Sequence, residues 1–256
     1  MSTSPVLLER AGALARLVLH RPERRNALDD TLIDALDGAL REVTAAPDCR
    51  AVVITGAGPA FCAGGDIAAN SDVDVPGALA RQRRFLEVGE RLLRLPKPTV
   101  AAVNGAAIGA GLSLALLCDE VVLHRAAKLS FGFLPIGLPP DLLSVVTVQR
   151  RAGWTVAADL FHTGRLIPAE EAVQLRLAHE VADDDALAAA TARAEVLARL
   201  SPVAFAATKA LLRQAAPSAT AVADVEALAV AVAVGTDEFR AATERFRSRP
   251  AARPRE

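Results

Sequence analysis

The chain has 256 residues, 52% of them hydrophobic, and a formal net charge of −1. That length suits one large domain or two modest ones with a sizeable core. The near-zero charge gives no electrostatic case for nucleic acid or an anionic membrane as main partner. Three cysteines (Cys49, Cys62, Cys118) and four histidines (His20, His124, His162, His179) show no metal-ligand spacing, so no metal is expected. The odd cysteine count also argues against a disulfide framework. The first residues lack the charge-then-apolar pattern of a signal peptide. The most apolar late stretch, 219–234, is too short to span a bilayer and carries Asp224 and Glu226. A soluble, reduced, cytoplasmic protein is the expectation.

Residues 14–19 predict a strand, followed by a loop over 20–26. A helix is expected to begin at Asp29 or Asp30, either able to cap it, with Leu32, Leu36, Leu40 and Val43 on one face. Ala51 to Thr55 is a continuous apolar strand of the kind buried in parallel sheets. It runs into a glycine-dense loop, 56–66, then a stretch of little periodicity, 67–77. A helix from about Gly77 to Leu95 is stopped by Pro96 and Pro98. Thr99 to Val103 reads as a buried strand, Asn104-Gly105 as a tight turn, and a helix opens near Gly109-Ala110-Gly111. Glu120 to Leu123 is another strand, and 128–142 is irregular. Helices are then expected over 154–162, 168–177, 183–200, 203–214, 219–234 and 236–248, with a disordered tail from Pro250. Strands and helices alternate to about residue 140 and helices dominate afterwards, which predicts an α/β core with a helical C-terminal extension.

The run VVITGAG (52–58) invites a dinucleotide reading, but no G-x-G-x-x-G leads into a helix. The absence of any tyrosine removes the base of short-chain dehydrogenases. There is no G-K-[ST] for a P-loop and no G-x-S-x-G elbow; Ser113 reads as a small helix residue. Two glycine corners remain, 63–66 (AGGD) and 109–111 (GAG), each after a buried strand. A helix start leaves backbone N–H groups without intrahelical partners and carries partial positive charge. Two such corners can each donate one N–H to a single carbonyl oxygen, stabilising an enolate or a tetrahedral oxyanion. The alternative is a pair of tight turns with small residues for packing.

The segments HRPERRNAL (20–28), VVITGAGPAFCAGGDI (52–67), KPTVAAVNGAAIGAGLSLALLCD (97–119), GLPPD (137–141), FHTGRLIPAEEA (161–172) and SPVAFAATKALL (201–212) occur in the order of a known family. Over nearly its whole length the chain resembles the crotonase superfamily, the enoyl-CoA hydratase/isomerase family. The resemblance implies an α/β spiral of ββα units over residues 1–200 that holds a CoA thioester. It also implies a helical C-terminal region, 201–256, that drives trimerisation, often as a dimer of trimers. No cofactor is implied beyond the CoA of the substrate.

Carried over position by position, the oxyanion donors fall on the backbone N–H of Gly65 and of Ala110. The family usually has glycine at the second; alanine keeps the N–H but would be strained at a positive φ. The backbone of Ala63, Gly64, Gly65, Asp66 and Ile67 matches the segment that receives the CoA adenine and pantetheine. Arg25 lies where the family often places a contact to the CoA phosphates; a solvated loop arginine is the alternative.

The two glutamates of the family's hydratases are replaced by Ser113 and Phe133, which disfavours two-glutamate hydration. One acid remains in a family catalytic position, Asp141, with apolar neighbours Phe131, Phe133, Leu134, Ile136 and Leu138. Burial there would raise its pKa toward the working range. Its other reading, compatible with the first, is a helix N-cap before Leu142. Gln82, Phe85 and Leu86 are further candidates for the acyl pocket lining. The leading expectation is an enoyl-CoA isomerase with Asp141 as single acid/base. The alternatives are an atypical hydratase, a thioester hydrolase, or a CoA-binding subunit without chemistry of its own.

Overall fold

The computed structural model describes residues 4–67, 74–214 and 219–247. Its organising element is a six-stranded sheet in the order β1 (Val6–Ala11), β2 (Leu14–Leu19), β3 (Ala51–Gly56), β5 (Thr99–Val103), β7 (Glu120–His124), β10 (Glu180–Ala182). All its pairings are parallel except β1 with β2. A second sheet runs β4 (Ala60–Cys62), β6 (Ala106–Ile108), β8 (Lys128–Ser130), β9 (Ile167–Pro168). The chain thus winds as a spiral: β3 and β4, β5 and β6, β7 and β8 each place one strand in the large sheet and the next in the small one.

The continuous apolar runs follow from burial on both faces. Val52, Ile54, Ala101, Val103, Val121 and Leu123 enter the main core. The alternate residues Ala51, Val53, Val100, Ala102 and Val122 meet Ala186, Ala190 and Ala194 of α6 (Ala186–Ala198), whose small side chains recur every fourth position. Helix α1 (Asp30–Ala45) buries Leu32, Leu36, Leu40 and Val43 as predicted, and the Asp29 carboxylate caps it by accepting from the Leu32 N–H at 2.9 Å.

Several predicted boundaries are corrected. The loop over 56–66 contains β4, and β6 lies between the Asn104-Gly105 turn and helix α3 (Ala110–Leu116). Both strands are three residues long, too short for a periodicity signal. Helix α2 spans Val75–Leu93, beginning earlier than Gly77 because Asp74 caps it and Pro76 fits its first turn. The stretch 128–142 holds β8 and a 3-10 turn, Leu134–Ile136. Helix α4 (Ser144–Thr163) begins ten residues before the predicted 154, with Gly153 at φ 82° breaking the pattern midway. Beyond it come α5 (Ala169–Gln174), α7 (Pro202–Gln214), α8 (Ala219–Val234) and α9 (Asp237–Arg247). Residues 68–73 of the stretch of little periodicity, and the tail from residue 248, lie outside the described residues. Among the described residues, no helix is long and apolar enough to cross a membrane.

Two buried polar groups fasten this frame. Asn26, fully buried in a left-handed conformation (φ 57°), accepts from the Arg21 N–H and donates to the carbonyls of Ala57 and Ala60, each at 2.9 Å. Lys209 of α7 donates to Asp119 Oδ2 at 2.7 Å, and the same oxygen accepts from the Thr99 N–H and hydroxyl. The Asn-Ala-Leu and Cys-Asp motifs, and the lysine of α7, are therefore joints between distant segments.

Candidate active site

The two glycine corners meet. Gly64 has φ +97°, and a Cβ there would lie 2.7 Å from the Ile108 carbonyl oxygen and 3.7 Å from the Ala110 nitrogen. Only glycine allows this approach. Next to it, Gly65 bridges Leu28 in parallel fashion: Leu28 N–H donates to the Gly64 carbonyl, and Asp66 N–H donates to the Leu28 carbonyl. That pattern directs the Gly65 N–H to the opposite side, toward the cavity that Gly65 lines. At the other corner the positive φ (52°) falls on Gly109, while Ala110 is the first helical residue of α3. Alanine at 110 is thus unstrained and presents an N–H at a helix start.

Both corners open into one cavity of about 130 Å³, and the walls also include Ala63, Ile67, Gln82, Phe85, Phe133, Leu138 and Asp141. Phe133 is buried, with its ring against Gly109. A phenyl group therefore fills this part of the cavity wall. Ser113 is fully buried and its hydroxyl donates to the Gly109 carbonyl at 3.1 Å, the arrangement of a packed helix residue. Leu86, on the same face of α2, packs in the main core.

Asp141 is the acid in this cavity. Its Oδ1 is buried and has no hydrogen-bond partner among the described residues. Burial pushes its pKa up to about 7. The N-cap reading is corrected: α4 starts at Ser144 after Leu143, and the Asp141 side chain caps nothing. Leu142 and Leu143 both have positive φ, 50° and 59°, an unfavourable conformation for leucine.

That segment is held by Glu226, a charge within the apolar run of α8. The Leu143 N–H donates to Oε1 and Oε2 of Glu226 at 3.1 and 3.2 Å, reaching from α4 to α8. Glu226 is pushed up to about 8, first by burial and then by the charge of nearby Asp141. The two buried carboxyl groups therefore oppose each other's ionisation. The one available signal in the sequence was an acid set among alanines and valines in α8. Cys62 is also buried here; burial pushes its thiol up to about 12, which excludes a thiolate.

The remaining predicted residues divide. Ala63, Gly64, Gly65, Ile67, Ala110, Phe133 and Asp141 line the cavity together. Asp66 is outside the lining, and its carboxylate pairs with Arg21 at 3.4 Å. The Arg25 side chain is exposed and also outside it, while the Arg25 carbonyl accepts from the Ala63 N–H at 3.0 Å. Val230 and Val234 of α8 complete the walls, so the C-terminal region contributes directly to the site.

The two backbone corners and a buried acid thus share one apolar cavity, an arrangement suited to an enzyme that acts on a carbonyl compound. Residues 9–250 match the enoyl-CoA hydratase/isomerase family model, and the chain belongs to that family. It is 42% identical over 205 residues to a putative enoyl-CoA hydratase of Thermus thermophilus, covering 78% of this chain and 81% of the relative. It is 37% identical over 177 residues to the 1,2-epoxyphenylacetyl-CoA isomerase of Escherichia coli, covering 67% of each. The crystal structure of an enoyl-CoA hydratase/isomerase from Mycobacterium paratuberculosis superposes with a TM-score of 0.88 at 33% identity, covering 95% of this chain and 98% of that one.

Proposed function

We propose that the protein is an enoyl-CoA isomerase working through a thioester dienolate, with Asp141 as its only acid/base. The carrying observation is Asp141 itself, an acid with an unpartnered buried oxygen in the cavity lined by Gly65 and Ala110. The thioester carbonyl oxygen accepts from the Gly65 and Ala110 N–H groups, which stabilise the charge that develops there. Asp141 takes a proton from C2 of a 3-enoyl thioester, the C–H pair forming a C1–C2 double bond as the carbonyl π pair moves onto oxygen; on collapse the carbonyl re-forms, the C1–C2 pair shifts to C2–C3, and the C3–C4 π pair takes the proton back from Asp141 at C4. One proton leaves and returns on the same carboxyl group, so no second acid and no separate cofactor are needed. CoA enters as part of the substrate, and the exposed Arg25 is the residue offered to its phosphates.

A relative named as a hydratase at 42% identity favours hydration as the second reading. Ser113 and Phe133 in the two glutamate positions count against it, since neither can accept a proton near neutral pH. Self-association as a trimer, or a hexamer of two trimers, fits the outward apolar side chains of α7, Val203, Leu211 and Leu212, each at least 70% exposed. A cytoplasmic setting fits the three free, buried cysteines.

The test is a panel of acyl-CoA thioesters offered to the wild type and to Asp141→Asn. Conversion of 3-enoyl-CoA to 2-enoyl-CoA by the wild type alone, with thioester binding retained in the variant, is the expected result. Full activity in Asp141→Asn would remove Asp141 as the base. Water addition or thioester cleavage without isomerisation would select one of the other enzyme readings. Binding without turnover of any thioester would mark a CoA-binding subunit.

A further inference from the structure

Arg81 and Gln82, adjacent on α2, both line the cavity. Neither has a part in the proton transfer. Arg81 Nε donates to Asp30 Oδ1 at 2.8 Å, and its guanidinium carbon stands 5.1 Å from the centre of the Phe85 ring. These contacts fix the guanidinium plane by one edge and one face. The other edge, Nη1 and Nη2, is buried and has no hydrogen-bond partner among the described residues. Gln82 is 7% exposed, and its Nε2 is buried in the same unpartnered condition. Around them the walls are apolar: Ile67, Ala78, Val230 and Val234.

Buried donors left without acceptors are costly, and proteins rarely retain several in one place without a use. A held guanidinium fork offers two parallel N–H groups spaced for the two oxygens of a carboxylate. The Asp30 carboxylate is half exposed and engages only Nε, so this fork keeps its attraction for an anion. We propose that Arg81 and Gln82 form a receptor for a carboxylate at the far end of the acyl chain, so that the preferred substrates are CoA thioesters of dicarboxylic acids. The apolar walls hold the methylenes between the two ends. This rests on the reading of the cavity as a thioester site, but not on Asp141 as the base.

The experiment measures binding, which needs no turnover. Succinyl-, glutaryl- and adipoyl-CoA are titrated against butyryl-, pentanoyl- and hexanoyl-CoA, with free CoA as reference, in the wild type, Arg81→Met and Gln82→Leu. At least one carboxylated thioester is expected to bind about tenfold tighter than its methyl-ended counterpart. Arg81→Met is expected to abolish that preference, read within the variant as the affinity of each carboxylated thioester relative to its methyl-ended counterpart, and Gln82→Leu, which keeps the guanidinium, to reduce it. Equal binding of the two series in the wild type overturns the receptor and leaves the thioester reading standing. A preference that survives Arg81→Met overturns it too, as does an equal loss of affinity for free CoA, which would put Arg81 on the CoA portion. Failure of all six thioesters to bind overturns both readings.

Discussion

The two halves of the site are built differently. The proposed donor half, Gly65 and Ala110, is made of backbone and specified by short glycine motifs that bring two strand ends together. The acid half is made of side chains on separate elements: Asp141 before α4, Glu226 on α8, Arg81 and Gln82 on α2. Backbone donors are placed by local conformation and tolerate a change of side chain, as alanine at 110 illustrates. The carboxyl groups owe their properties to burial, which no local sequence contains. One half is thus sensitive to added atoms, the other to lost charge.

The largest effect is expected from removing charge. Asp141→Asn should lower kcat by about 10²–10⁴ or more, the range for loss of a positioned acid/base, with thioester affinity kept; steady-state kinetics and titration check both. Adding one methyl group to the donor half comes next. Gly64→Ala places a Cβ 2.7 Å from the Ile108 carbonyl and forces alanine to φ +97°. It should separate the corners and cost about 10²–10³ in kcat, comparable to losing an oxyanion donor. Equal activity in Gly64→Ala would show that the corners need not stay joined.

Glu226 sharpens the comparison, because it supports the acid half through backbone groups. Glu226→Ala leaves the Leu143 N–H without its acceptor and should destabilise the protein by about 1–3 kcal/mol in urea unfolding. Glu226→Gln retains an acceptor oxygen and should keep most of that stability.

A pH dependence of stability tests the burial of the acid half. Asp141 rises from an ordinary 3.8 to about 7 on folding, so the unfolded chain binds fewer protons between those values. Stability from the protonated group is full below pH 4 and is lost as pH rises through 7. Asp141→Asn should therefore raise Tm relative to wild type more at pH 8 than at pH 4, while wild-type kcat/KM rises toward a plateau above about pH 7. A Tm difference independent of pH would mean that Asp141 is solvated.

Much of this was legible in the chain. The apolar run 51–55, the proline stops at 96 and 98, and the glycine corners fix local structure through sterics and periodicity, and the ordered motifs identify the family. Ser113, Phe133 and Asp141, at the positions where the resemblance implies catalytic acids, were also readable as residues. Strands β4, β6, β8 and β9 were not, because strands of two or three residues exist only through their partners in the spiral. Nor were Glu226 and Arg81 readable as site residues. Each looks like an ordinary charge until the fold buries it, Glu226 against the strained Leu142-Leu143 turn and Arg81 against Phe85. By itself the sequence determined the backbone corners and the single candidate acid, because those depend on neighbours along the chain. The raised pKa of Asp141, its partnership with Glu226 and the unpartnered donors of Arg81 and Gln82 were decided only in the tertiary structure, where exclusion of water sets what a charged group can do.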